Sequence, residues 1–182
     1  MARPVPQCAL DLIKTFEGLH DGDKRTPHIL DPQKCPAGIY TVGWGFALFE
    51  GGKPVRDWAT ALRIWRERWP AGMTRADADA LLVQTAQDVC DRVVKLLGAT
   101  EVNDHELGAM VSLAYNIGVG ETGGAADFAD SSVLRFTRLG DRPRAAASFL
   151  LWNKATVNGR LTVLSGLDRR RRTERDLYLK PV

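Results

Sequence analysis

Phe16-Glu17-Gly18, followed after a loop by Cys35-Pro36-Ala37-Gly38-Ile39-Tyr40-Thr41-Val42-Gly43-Trp44-Gly45, is the stretch on which the reading of this chain turns. Leu10, Ile13 and Phe16 share one face of a short helix, and Gly18 ends it as a glycine beyond a helix end commonly does. That leaves the Glu17 carboxylate at the helix terminus. Residues 19–38 are rich in Gly, Pro, Asp and Lys and read as loop and turn. Ile39 to Val42 is β-branched and aromatic, and Gly43 to Ala47 alternates small with large. Together they predict a short antiparallel hairpin or small sheet that carries a thiol, Cys35, and a hydroxyl, Thr41. Gly51-Gly52-Lys53-Pro54 is a further turn.

Beyond it the pattern becomes helical. Trp58, Leu62, Trp65 and Trp69 recur at steps of four, three and four, one stripe of a helix stopped by Pro70-Ala71-Gly72. Thr74 is an N-cap with Asp77 in the capping-box place, opening a helix that runs to about Leu97 and ends at Gly98. Asn103 or Asp104 starts the next, with Leu107, Met110, Val111 and Ala114 inward, closing near Asn116-Ile117-Gly118. Residues 120–130 read as a polar, glycine-rich loop. Ser131–Leu139, Pro143–Trp152 and Leu167–Leu179 read as three further helices. The expected class is α+β, mostly helical. One domain, 1–182, holds a small β-containing lobe over 19–72 and a helical lobe over 73–182, with helix 9–17 contributing Glu17. The segment from about Phe46 to Gly72 is a Trp-rich insertion in the small lobe.

Composition narrows the classes. Apolar residues make up 45% of the 182, enough to bury a core, so global disorder is not expected. No apolar run reaches the roughly 18 residues of a membrane span. Met1 to Leu12 holds Arg3, two prolines and Asp11 and lacks the apolar core of a signal peptide, so a cytoplasmic protein with an outside-supplied route outward is expected. Cys8, Cys35 and Cys90 are an odd set without C-x-x-C spacing, which suggests neither a disulfide framework nor a zinc site. His20, His28 and His105 are too scattered for a metal site. The net charge of +3 names no partner by itself, but Arg63, Arg66 and Arg68 cluster and Arg169 to Arg172 form a run. No reader motif for nucleic acid accompanies them.

A lone acid, small polar groups that hold water and tight turns between them are the parts of a glycosidase site. A carboxylate at a helix C-terminus meets an unfavourable dipole, so its charge there needs a reason. In a cleft under the hairpin, Glu17 would be partly desolvated, with a raised pKa that keeps it protonated for general-acid cleavage. The tryptophan stripe either packs a local helix or offers indole faces to pyranose rings beside a basic edge.

The combination of E-G with C-P-x-G-x-x-T-x-G-x-G resembles the catalytic signature of phage-type lysozymes (glycoside hydrolase family 24). The resemblance continues through Met73-Thr74, Ala78-Asp79-Ala80-Leu81-Leu82, Leu113-Ala114-Tyr115-Asn116-Ile117-Gly118, Phe149-Leu150-Leu151-Trp152-Asn153 and Gly166-Leu167 through Glu174, most of the chain in the family's order. It implies a lysozyme-like fold, a small β-hairpin lobe packed against a larger helical lobe. It makes Glu17 the catalytic acid, puts Cys35 in the place of the second catalytic residue and lets Thr41 orient the attacking water. Asp31, Tyr40, Tyr115, Asn116, Gly118 and Arg170 become substrate-binding, and one of Arg169, Arg170 and Arg171 pairs with Glu17. Two departures stand out. Glu17 and Cys35 are 18 positions apart, a longer loop than the family's. A thiol is also mostly neutral at pH 7 and a poor stand-in for a carboxylate, so Asp21, Asp23 or Asp31 stays open as the second acid.

The implied function is an endolysin muramidase. It would cut the β-1,4 bond between N-acetylmuramic acid and N-acetylglucosamine of bacterial peptidoglycan for host cell lysis. No cofactor, metal or nucleic acid is implied. The protein would be a monomer without stable membrane insertion, held in the host cytoplasm until a holin-type lesion releases it to the periplasm and cell wall. A lytic transglycosylase using Glu17 as sole acid/base and a catalytically weak wall-binding or phage structural protein are the alternatives.

Overall fold

Gly18 ends the first helix in a left-handed conformation, φ +69°, with its N–H on Lys14 O at 3.3 Å. That helix, α1, spans Gln7–Glu17, so Glu17 is its last residue. The computed structural model describes residues 3–26, 28–35, 37–121, 127–157 and 159–181. Pro36 of the decisive motif and residues 122–126 of the glycine-rich loop lie outside them. The chain divides into two units, Lys14–Gln84 and Met1–Ile13 with Thr85–Val182. Among the described residues helices dominate, with three small antiparallel sheets, as an α+β class requires. Among the described residues no helix is long and apolar enough to cross a membrane.

In the first unit, β1 (Gln33–Lys34), β2 (Tyr40–Val42) and β3 (Phe46–Ala47) form one sheet. Gln33 pairs with Thr41, Lys34 with Tyr40, and Thr41 in turn with Ala47. β1 falls inside the segment read as loop. Two exposed polar residues carry no strand signal, and they are extended because β2 offers them a ladder. A second hairpin, β4 (Phe49–Glu50) and β5 (Lys53–Pro54), turns at Gly51-Gly52. It is tied back by Tyr40 N on Val55 O, Leu48 N on Tyr40 O and Val55 N on Leu48 O, each 2.9 Å.

Helix α2 (Trp58–Arg68) is capped by Asp57, which accepts from Thr60 N at 2.8 Å. The tryptophan stripe splits in role. Trp65 is buried and donates from Nε1 to Leu30 O at 3.0 Å. Trp58 is 47% exposed and tilts against Tyr40, ring centroids 5.7 Å apart. The arginine cluster beside it is partly occupied, since Arg63 pairs with Glu50 and Glu67, and Arg68 lies over Phe46 and Trp69. The capping box read at Thr74 and Asp77 forms: Thr74 N donates to Asp77 Oδ2 at 2.8 Å and Asp77 N to Thr74 Oγ1 at 3.2 Å. Helix α3 (Arg75–Leu97) follows.

The second unit is built on α4 (Asp104–Ile117), entered through a capping box of Asn103 and Glu106 and buried from Glu106 to Ala114. At Gly108 a Cβ would stand 2.5 Å from Cys8 Sγ, so the missing side chain is what lets α1 lie this close. Helices α5 (Ser132–Arg138) and α6 (Arg142–Phe149) lead through a 3-10 turn, Leu150–Trp152, to a hairpin of β6 (Lys154–Val157) and β7 (Arg160–Val163). The sequence reading does not contain this hairpin. Its signal is the Asn158-Gly159 pair between two β-branched runs. Both strands are largely exposed, Leu161 at 70%, so no hydrophobic alternation marks them.

Helix α7 (Ser165–Tyr178) carries the run Arg169–Arg172, of which Arg170 and Arg171 are interior and Arg169 and Arg172 exposed. Arg170 is 3% and Arg171 0% exposed. Glu174, also buried, accepts from Arg170 Nε at 3.1 Å, Arg171 Nη1 at 2.7 Å and Ser112 Oγ at 2.7 Å. Burial pushes the Glu174 carboxyl up, and the two guanidiniums and the hydroxyl pull it back. Protonating it would leave two permanent cations inside the unit without a counter-charge, so the carboxylate is the form that this packing accommodates. Arg172 stays outside and pairs with Asp168 at 2.7 Å.

Removing one member of a buried ionic cluster strands the others. Glu174→Ala is expected to destabilise the protein by about 3–5 kcal/mol, measured by urea or thermal unfolding. A loss below about 1 kcal/mol would mean that water or a shifted side chain relieves the two arginines.

Candidate active site

The local sheet, not the helices, positions the polar groups of the first unit. Thr41 sits mid-strand in β2 and is 6% exposed. Its Oγ1 donates to Gln33 O at 3.2 Å and lies 2.8 Å from His20 Nδ1. His20 reaches it because its own N–H donates to Gly43 O at 2.7 Å, an isolated antiparallel bridge just past the end of β2.

Glu17 is half-buried. Gly45 packs on it: a Cβ there would stand 3.3 Å from Glu17 Oε2, and Gly45 has φ +79°. Gly43, φ +60°, is equally constrained, since a Cβ would stand 2.9 Å from Ala78 Cβ. The G-x-G of the motif is therefore required twice, for its backbone conformation and for its lack of side chains. Between the two glycines, Trp44 donates from Nε1 to Asp79 Oδ1 at 2.7 Å and lies under Lys14 and Arg75. Lys14 also pairs with Asp79 at 2.7 Å. Burial raises the Asp79 carboxyl, but the Lys14 and Trp44 donors and the Arg75 charge outweigh it and hold the group below the usual carboxylate range.

Cys35 stands in a tight turn closed by Cys35 N on Ile39 O at 2.9 Å and Gly38 N on Cys35 O at 2.8 Å, its thiol half-buried. The loop aspartates have partners. Asp23 is clasped by Arg25, whose hydrogen bonds hold its carboxyl down to about 2. Asp31 accepts from Thr26 Oγ1 at 2.8 Å, and Asp21 from Asp23 N at 3.2 Å. Tyr40 adjoins Thr41 in the strand and so points to the opposite face, where Trp58 and Lys34 flank its ring.

Tyr115, Asn116, Gly118 and Arg170 belong to the other unit. Asn116 Oδ1 accepts from Arg171, Gly118 caps α4 at φ +89°, and Arg170 donates to Glu174 and to Ser112 O. The structure thus gathers Glu17, Cys35, Thr41, Tyr40 and Asp31 in one unit and the remaining four residues in the other. Sequence reasoning missed His20, Asp79 and Glu174. His20 belongs to no motif, Asp79 and Glu174 lie in stretches that carry the resemblance but were given no role, and each is recruited by a fold-dependent contact.

Residues 16–174 match the phage lysozyme family. The endolysin of Bacillus phage B103 is 30% identical over 175 residues, 96% of this chain but 54% of that protein, so the chain spans about half the length of this relative. Among solved structures, an endolysin from Escherichia coli O157:H7 phage FAHEc1 is similar at a TM-score of 0.74 and 28% identity, over 100% of this chain and 97% of that one. The muramidase domain of SpmX from Asticaccaulis excentricus is similar at a TM-score of 0.67 and 28% identity, over 97% and 98%.

Two expectations follow. Gly45→Ala puts a β-carbon against the Glu17 carboxylate in a left-handed backbone. It should cost about 1 kcal/mol of stability, measured by thermal melting. Asp79, with its depressed carboxyl, contributes stability above the unfolded value near 3.8 that is lost as pH falls through its folded value. Its side chain is 39% exposed and screened. Asp79→Asn should therefore lower Tm by only about 2–4 °C at pH 7, and the gap should close as pH falls below 3.8 through the folded value.

Proposed function

Because the chain belongs to the phage lysozyme family, we propose that it is an endolysin, a glycoside hydrolase that cleaves bacterial peptidoglycan as a muramidase. The bond cut is the β-1,4 link from N-acetylmuramic acid to N-acetylglucosamine. Glu17 donates its proton to the leaving glycosidic oxygen as the bond to the anomeric carbon breaks. A water held by Thr41, with Cys35 or a loop aspartate, adds its oxygen to that carbon and gives up its proton to the loop carboxylate or to solvent, and Glu17 is reprotonated from solvent. Asp31 and Tyr40 of the first unit, and Tyr115, Asn116 and Gly118 of the second, are the candidates for holding glycan, whereas Arg170, buried in its ion pair with Glu174, is withdrawn from that role. The carrying observation is the Glu17 carboxylate packed against Gly45, in the same unit as a Thr41 hydroxyl held by two partners. The names of the similar endolysins and of the SpmX muramidase domain support the same reading. The enzyme waits in the host cytoplasm until a holin-type lesion admits it to the wall.

One observation favours a second reading. Position 35 holds a thiol and not a carboxylate, and a lytic transglycosylase needs one acid/base only, with the substrate's own hydroxyl as nucleophile.

Purified Gram-negative peptidoglycan digested with the wild type and with Glu17→Gln, its muropeptides read by mass spectrometry, separates the two. Reducing ends are expected, lost about 10²–10⁴-fold in Glu17→Gln, with smaller losses in Thr41→Ala and Cys35→Ala. Anhydro ends, lighter by one water, would establish transglycosylation. No products from the wild type would move the weight to wall binding.

A further inference from the structure

His20 belongs to no motif in the sequence, yet its ring is the side-chain partner of Thr41, Nδ1 to Oγ1 at 2.8 Å. We propose that His20 is a positioning residue for the reaction: donating from Nδ1, it fixes the one acceptor direction that the Thr41 hydroxyl presents to the attacking water. This rests on the muramidase reading and assigns a further residue to its water site.

The hydroxyl inventory carries the argument. Thr41 Oγ1 has one proton and two acceptor lone pairs. Gln33 O, 3.2 Å away, can only accept, so it takes the proton. The contact to His20 is then a hydrogen bond only if Nδ1 bears a hydrogen and donates it. That uses one lone pair and leaves one. A water donating into the remaining lone pair has its own lone pairs turned outward, the orientation needed to attack an anomeric carbon. Threonine is stiff about χ1, so the strand already places Oγ1. What the strand cannot fix is rotation of the O–H, and His20 with Gln33 O supplies that. The histidine proton stays on Nδ1 throughout, and no bond to His20 forms or breaks.

The ring is separable from the fold. His20 is tied to Gly43 through its backbone N–H, which any residue but proline can supply. Its side chain is half-exposed and adds little to the core.

Asparagine carries its N–H at about the reach of histidine Nδ1, and glutamine at about that of Nε2. In steady-state cleavage of soluble peptidoglycan fragments, His20→Ala and His20→Gln should lower kcat about 10–100-fold with KM within about twofold. His20→Asn should restore kcat to within about threefold of wild type. His20→Ala combined with Thr41→Ala should be no slower than Thr41→Ala alone, because both act through one hydroxyl. The proposal is overturned by an unchanged kcat in His20→Ala, by rescue from Gln and not from Asn, or by losses that multiply in the double variant. A fall in Tm that accounts for the lost activity and that Asn does not correct would make the ring merely structural. If the wild type releases no reducing ends, or Glu17→Gln cleaves normally, the muramidase reading fails first and takes this role with it.

Discussion

The turn Gly43-Trp44-Gly45 is the constraint on which the first unit depends. Its backbone is left-handed at both glycines, and a β-carbon at either would press on Ala78 or on Glu17. A carbonyl at Gly43 therefore faces outward to take the N–H of His20, and the indole of Trp44 is aimed at Asp79. One turn thus holds the end of α1, the loop that leaves it and the first turn of α3. Glycine is needed because close approach and positive φ coincide, a pair of demands that no L side chain meets.

The second unit is organised by charge. Glu174 lies between two arginines that water does not reach, and Ser112 and Asn116 complete the set from α4. Such a cluster adds little stability over an apolar one, but it tolerates few alternative packings, because every misplacement leaves a naked charge. The same principle appears at lower stakes in Glu106, buried at the start of α4 and paired with Arg142.

Elements written in local chemistry were legible in the chain. Gly18 and Gly98 stop helices, Thr74 with Asp77 starts one, the start read at Asn103 or Asp104 is capped by Asn103, and Gly51-Gly52 turns a hairpin. Elements whose signal is supplied by a partner were not. Gln33-Lys34 is extended only because β2 lies beside it, and β6 and β7 are too exposed for alternation to mark them. Trp58 and Trp65 share a helical stripe, yet only Trp65 is buried, because a period records direction around an axis and not how far the neighbouring surface extends.

The candidate site divides the same way. Sequence alone determined that an acid ends a helix, that a thiol and a hydroxyl follow on a glycine-bound hairpin, and that this spacing resembles one lysozyme family. Those features are local, set by residue type and order. Tertiary structure alone decided that His20 holds the Thr41 hydroxyl, that Asp79 anchors the turn through Trp44 and Lys14, and that Arg170 and Arg171 are interior. The reason is physical: a hydrogen bond between residues twenty or sixty positions apart depends on where the chain crosses itself, and no spacing along the chain encodes that crossing.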